Sequence, residues 1–231
     1  MSDLDTDLKN TPGDYAHAII KSGLSALPIV GGGASELFSL LIAPPVSKRR
    51  DKWLVQLAEG LEELKSNTPT FDINSLVDNE VFITAVLHAT QAATRNHHEE
   101  KLLALRNAVL NSALDIGIDD NVQLLFINMI DSMTPWHLRI LSFFQSPTKW
   151  FGDNQKQVPT LYTGSPSRVL ESAFPELGGR RSFYDIIIKD LYSQGLLSTE
   201  SLHVMMSGEG TTAKRTTDFG DLFISYVSSP Y

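Results

Sequence analysis

Histidine and glutamate stand three residues apart in the run HHEE, at His97 and Glu100, with His88 upstream on the same apolar-periodic stretch. On one face of a helix, such a pair suits a divalent metal. A carboxylate metal centre in a helical bundle needs about four to six such groups on facing helices, and no second His-x-x-Glu exists. The run reads as a solvated charged patch, so no metal ligand and no cofactor is assigned.

Glycines 31 to 33, in PIVGGGASELF, are the next candidate, because backbone amides at a helix start bind phosphate. A P-loop places Lys and then Ser or Thr after its second glycine, whereas Ala34, Ser35 and Glu36 follow here. A dinucleotide fingerprint needs glycine where Glu36 would set a carboxylate against pyrophosphate. His137 and His203 have no acid or hydroxyl placed by a recognisable motif, and Gly-x-Ser-x-Gly is absent. Both read as structural. With no cysteine, the chain has no disulfide, thiolate nucleophile or Cys-bearing metal site. No catalytic residue is assigned, and the expectation is a protein that is not an enzyme.

The elements that would carry any site are mostly helical. Asp14 caps a helix through Ala16, Ile19, Ile20, Leu24 and Leu27, ended by Pro28. Ser35 caps a short helix over Glu36–Ile42, which Pro44–Pro45 should terminate. A third starts at Ser47, with Trp53, Leu54, Leu57, Leu61 and Leu64 recurring at three and four. The stretch from Glu80 to Leu114 holds neither Gly nor Pro and predicts one helix, or two broken near Asn96. A helix over Asn121–Ser132 is apolar around most of its circumference, which predicts a central position.

From Thr134 the pattern changes. Thr134–Pro135 and Ser165–Pro166 are cap-and-proline helix starts. SFYDIIIKDLYSQGLL predicts a helix capped by Ser182 with Asp185 and closed by Gly195. LHVMMSGEGTTAKRTT predicts a hairpin around Ser207–Gly210, and TDFGDLFISYV a last helix. The expected fold is mostly α: a disordered start over 1–13, a helical bundle over 14–133, and a winged-helix-like module with one small β-hairpin over 134–231.

Charge narrows the partners. The net charge is −8; residues 1–134 hold 10 Lys and Arg against 18 Asp and Glu, and the remainder holds 9 against 9. A nucleic-acid binder usually shows a basic stripe. The candidate contact cations are Arg180, Arg181, Lys189, Lys214 and Arg215, offset along helix 182–194 by Asp185 and Asp190. That neutral helix and the wing 203–216 are read as a surface for a partner protein, or for self-association in a dimer; nucleic acid ranks lower.

Membrane contact is a rival. Fourteen uncharged residues separate Lys21 from Glu36 and eleven separate Glu36 from Lys48, short of the ~20 apolar residues a span requires. An interfacial hairpin over 19–46 would use Leu37, Phe38 and Leu41, with Lys48, Arg49 and Arg50 meeting anionic headgroups. A tight helical corner inside a soluble domain is the simpler reading. The acidic start MSDLDTDLKNTPGDY lacks the features of a secretory signal, so the expected location is cytoplasmic, or peripheral to a membrane.

The order GGGASELFSLLIAPPVSKRR, a helical middle, then TPWHLRILSFFQSP, DLYSQGLL and RTTDFGDLFISYV resembles the layout of the bacterial abortive-infection alpha proteins. The resemblance implies a membrane-associated apolar segment, a role in phage defence, no enzymatic activity and no catalytic residues. This chain departs from it in a shorter, more interrupted apolar segment. The functional expectation is a bacterial interaction or regulatory protein, with a membrane-perturbing effector and a DNA-binding regulator as the alternatives.

Overall fold

Side-chain caps set where several helices begin. Asn79 Oδ1 accepts the Phe82 N–H at 3.0 Å, Asp119 Oδ1 that of Asn121 at 3.0 Å, and Thr217 Oγ1 that of Gly220 at 2.9 Å. Each satisfies a first-turn donor that the helix leaves without a partner. The computed structural model describes residues 33–114 and 116–231, with side chains from residue 45 onward. It divides into two units, 1–45 and 46–231. Of the first unit, the helical backbone from Gly33 is described; the helix expected from Asp14 and glycines 31 and 32 lie outside the described residues.

Helix α1 spans Gly33–Asn67 and runs through Pro44–Pro45, so the expected stop there and the fresh start at Ser47 are corrected. Two prolines remove the N–H groups that would reach the carbonyls of Leu40 and Leu41, but their fixed φ is itself helical. Beyond them the helix is held by packing, with Trp53, Leu57 and Leu64 buried in the core. The prolines mark the unit boundary instead of a helix end.

After a 3-10 turn over Ile73–Asp78 come α2 (Glu80–Arg95), α3 (Glu99–Ala113) and α4 (Asp120–Ser132). The long helical signal is therefore two helices. Asn96 ends the first, donating Nδ2 to the Ala92 carbonyl at 2.7 Å. Helix α4 packs on α2 and α3, with Phe126, Ile127 and Ile130 buried and Leu125 exposed.

Next are α5 (Pro135–Gln145), α6 (Pro147–Asp153), α7 (Pro166–Ala173), α8 (Arg181–Ser193), a single turn α9 (Gly208–Thr211) and α10 (Asp218–Val227). The fold of the described residues is mostly helical with one small antiparallel sheet. Gly195 closes α8 as expected, at φ +74°. The Ser182–Asp185 capping box does not form: the helix starts at Arg181, Ser182 falls inside it, and Asp185 turns to other partners.

The two-stranded sheet is present, but its partners are not those of a local hairpin. Strand β1 (Thr163–Gly164) pairs with β2 (Met206–Ser207), while Ser207 caps α9 by accepting the Gly210 N–H. Gly208 is what permits this approach, since a Cβ there would lie 2.0 Å from the Leu161 carbonyl oxygen. A separate antiparallel bridge joins Leu197 to Thr216, flanked by Ser198 N–H donating to Arg215 O at 2.8 Å and Thr217 N–H to Leu196 O at 3.1 Å.

The core of the 46–231 unit runs across the 133/134 boundary. Phe126 of α4 meets Phe219, Phe223 and Tyr226 of α10 at centroid distances of 5.0, 5.2 and 5.5 Å. On α3, Asn111 Nδ2 donates to the Tyr226 and Ser228 carbonyls at 2.8 and 3.0 Å, and Asn107 Nδ2 to that of Val227 at 2.9 Å. These are the unpaired carbonyls of the α10 C-terminus, so α3 side chains cap a helix distant in sequence.

Candidate functional site

Helix α8 presents two faces. Tyr184, Ile187, Ile188 and Leu191 recur at three, four and seven and are buried. Ile186 falls off that stripe and is 62% exposed. The chain beyond Gly195 returns alongside: His203 Nε2 donates to Asp185 Oδ1 at 2.7 Å, and its ring stacks on Tyr184 at 5.9 Å. The two residues that follow His203, Val204 and Met205, are 58% and 67% exposed. A groove of about 350 Å³ between the two segments is lined by Arg181, Asp185, Ile186, Lys189, Glu200 and His203.

The five candidate contact cations do not converge on this surface as free charges. Arg181 Nε lies 3.3 Å from Asp185 Oδ2. Arg180 stacks over the Phe183 ring, 4.3 Å from its centroid. Lys214 pairs with Asp221, whose carboxyl is held below its ordinary range: burial pushes it up, but Lys214, Thr216 and Gln145 together outweigh that. Arg215 donates to the Gly210 carbonyl at 2.6 Å and to Met206 Sδ at 3.1 Å, and burial lowers its pKa. Among the described residues, Arg180 and Lys189 are exposed and make no ion pair, and of the two Arg180 lies over the Phe183 ring.

His203 was expected to open a strand; it instead sits in a loop, oriented by Asp185. An ionised carboxylate only accepts, so Nε2 carries the proton. The sequence holds a signal for this arrangement, since Arg181 and Asp185 are four apart on one helix, and for Ile186, the one residue of the Ile186–Ile188 run outside the buried period.

His137 performs a structural task. The Thr134 N–H donates to its Nδ1 at 3.1 Å, so a histidine takes the place usually held by Glu in a capping box. Its Nε2 lies 3.5 Å from Asp190 Oδ2, joining α5 to α8. Burial lowers the His137 pKa and outweighs Asp190. Nearby, buried Lys101 donates to the Asp131 carbonyl at 2.8 Å and is likewise lowered by burial.

His88, His97 and His98 are exposed, and Glu100 pairs with Arg139. No group of three or more potential metal ligands stands together among the described residues. Of the membrane-contact set, Leu37, Phe38 and Leu41 lie in the leading unit, where the helical backbone alone is described; Lys48 and Arg49 are exposed, and Arg50 is half-buried beside Asp51. No helix of the described residues is long and apolar enough to cross a membrane. No family model, curated protein or solved structure matches the chain.

Proposed function

We propose that the chain is a non-catalytic interaction protein, and that α8 with the returning segment 199–216 is its winged-helix-like contact surface for a partner protein. The carrying observation is the state of the cations. Arg180, Arg181, Lys214 and Arg215 already serve contacts within the fold, while Ile186, Val204 and Met205 face solvent. Phosphate binding draws its affinity from cations free to displace counterions, whereas protein contacts are anchored by desolvated apolar side chains within a mixed-charge rim. The groove has that mixture, with Arg181 and Lys189 set against Asp185 and Glu200.

The winged-helix part of the reading is supported by connectivity. Helices α7 and α8 follow one another, and the Leu197–Thr216 bridge then closes the excursion 199–214, as a wing would require. A photo-crosslinking amino acid at Val204, introduced in cells, should capture one discrete protein. The Ile186→Asp, Met205→Asp double variant should abolish that adduct without changing the melting temperature. Salt-sensitive retardation of duplex DNA that Lys189→Ala weakens would overturn the proposal in favour of nucleic-acid binding.

A further inference from the structure

Helix α1 carries two stripes. Trp53, Leu57, Gly60 and Leu64 are buried in the core of the 46–231 unit. About a third of the circumference away lies a second row: Asp51, Leu54, Val55, Ala58, Leu61, Glu62 and Lys65. All of these are exposed except Leu61, which is half-buried. Val55 is 56% exposed, and a shallow groove of about 750 Å³ beside it is lined by Val55, Ala58, Leu61 and Ile73 together with the carboxylates of Glu59, Glu62 and Glu63.

We infer that this second row pairs with the same row of a second copy, antiparallel, with the two-fold axis at Ala58. The charge order selects that occupant. Counting three, four and seven residues outward from Ala58 in both directions sets Val55 opposite Leu61, Leu54 opposite Glu62, and Asp51 opposite Lys65. In a two-fold interface every such pair occurs twice, so two Asp51–Lys65 ion pairs would close the two ends of one strip that is apolar apart from its two Glu62 side chains. A parallel copy would place Asp51 beside Asp51 and Lys65 beside Lys65. A bilayer would receive Asp51 without a Lys65 set opposite it.

Neither charge is committed elsewhere in a way that forbids this. Asp51 has only its half-buried neighbour Arg50, at 3.3 Å, and Lys65 makes no ion pair among the described residues. Alanine at the axis lets two helices approach to about 8–10 Å. A single helix face buries less than the roughly 800 Å² per partner of a standard interface, so the dimer is weak and concentration-dependent. The surface is separate from the α8 face, and its test does not depend on that face.

The chain has no cysteine, so Ala58→Cys introduces a sole thiol. A disulfide spans Cα atoms up to about 7 Å apart, so mild oxidation should convert A58C into a covalent dimer. Glu59→Cys, about 100° round the helix, should stay monomeric. In sedimentation velocity, Asp51→Lys and Lys65→Asp should each weaken the wild-type dimer about tenfold, which corresponds to ~1.4 kcal/mol. The two together should restore it. Residues 51 and 65 lie about 21 Å apart along one helix, so restoration can arise only between copies. All these positions are exposed, and unchanged melting confirms folding. A monomer at every concentration up to a few hundred micromolar, equal crosslinking of A58C and E59C, or no recovery in the double swap would each overturn the inference.

Discussion

Replacing Asn111 with alanine tests how α3 is joined to the end of α10. Its Nδ2 holds the Tyr226 and Ser228 carbonyls, the first of these bonds fully buried. Each bond contributes about 1–1.5 kcal/mol, and alanine leaves both acceptors without a donor. The loss of about 2–3 kcal/mol is offset by roughly 0.5 kcal/mol of better helix propensity on α3. A net loss near 2 kcal/mol lowers the melting temperature of a unit this size by about 4–8 °C. Asn107→Ala removes one part-buried bond, to Val227, and should cost about half as much. Far-ultraviolet circular dichroism during heating and in urea would measure both. The transition should stay single, because the Phe126 cluster ties α4 to α10. A shift under about 2 °C for Asn111→Ala, a larger effect for Asn107→Ala, or two separate transitions would refute the reasoning.

Three further outcomes are expected. His137 is held below its ordinary pKa of 6.5, chiefly by burial. The unfolded chain therefore takes up this proton first, and the group's contribution is complete above pH 6.5 and lost as pH falls from there toward the depressed value. His137→Gln, which keeps an acceptor at the third helical position, should flatten that part of the acid-side decline in melting temperature relative to wild type. Gly208→Ala should destabilise by about 1–3 kcal/mol in urea titration, because its Cβ meets the Leu161 carbonyl backbone, which must move and pull β1 from β2. Asp185→Ala should raise amide hydrogen exchange across 199–206 by freeing His203, yet cost less than about 1 kcal/mol overall, because the group is partly exposed.

Helix existence was readable wherever the signal is local. Thr134–Pro135, Gly195 and the break at Asn96 all act within one or two turns, and the structure has helix boundaries there. Ser182–Asp185 misled because the same spacing serves a capping box and an interior residue. What decided it was the distant His203, which claims Asp185. The Met206–Ser207 strand looked like half of a hairpin, yet its partner lies upstream at Thr163–Gly164. Pro44–Pro45 looked like a stop because the rule concerns local donors, whereas burial of Trp53, Leu57 and Leu64 stabilises the helix that follows.

The contact surface divides in the same way. Composition and spacing already excluded a P-loop, a dinucleotide fingerprint and any thiol chemistry, and located the five cations. By itself, then, the sequence determined a mostly helical chain, where several of its helices begin, and which side chains are available at each face. Only the tertiary structure decided that Arg180, Arg181, Lys214 and Arg215 are occupied within the fold while Ile186, Val204 and Met205 are left to solvent. The physical reason is range: a helical period is set by neighbours three and four residues away, but the partner of a charge is whatever the folded chain brings to it.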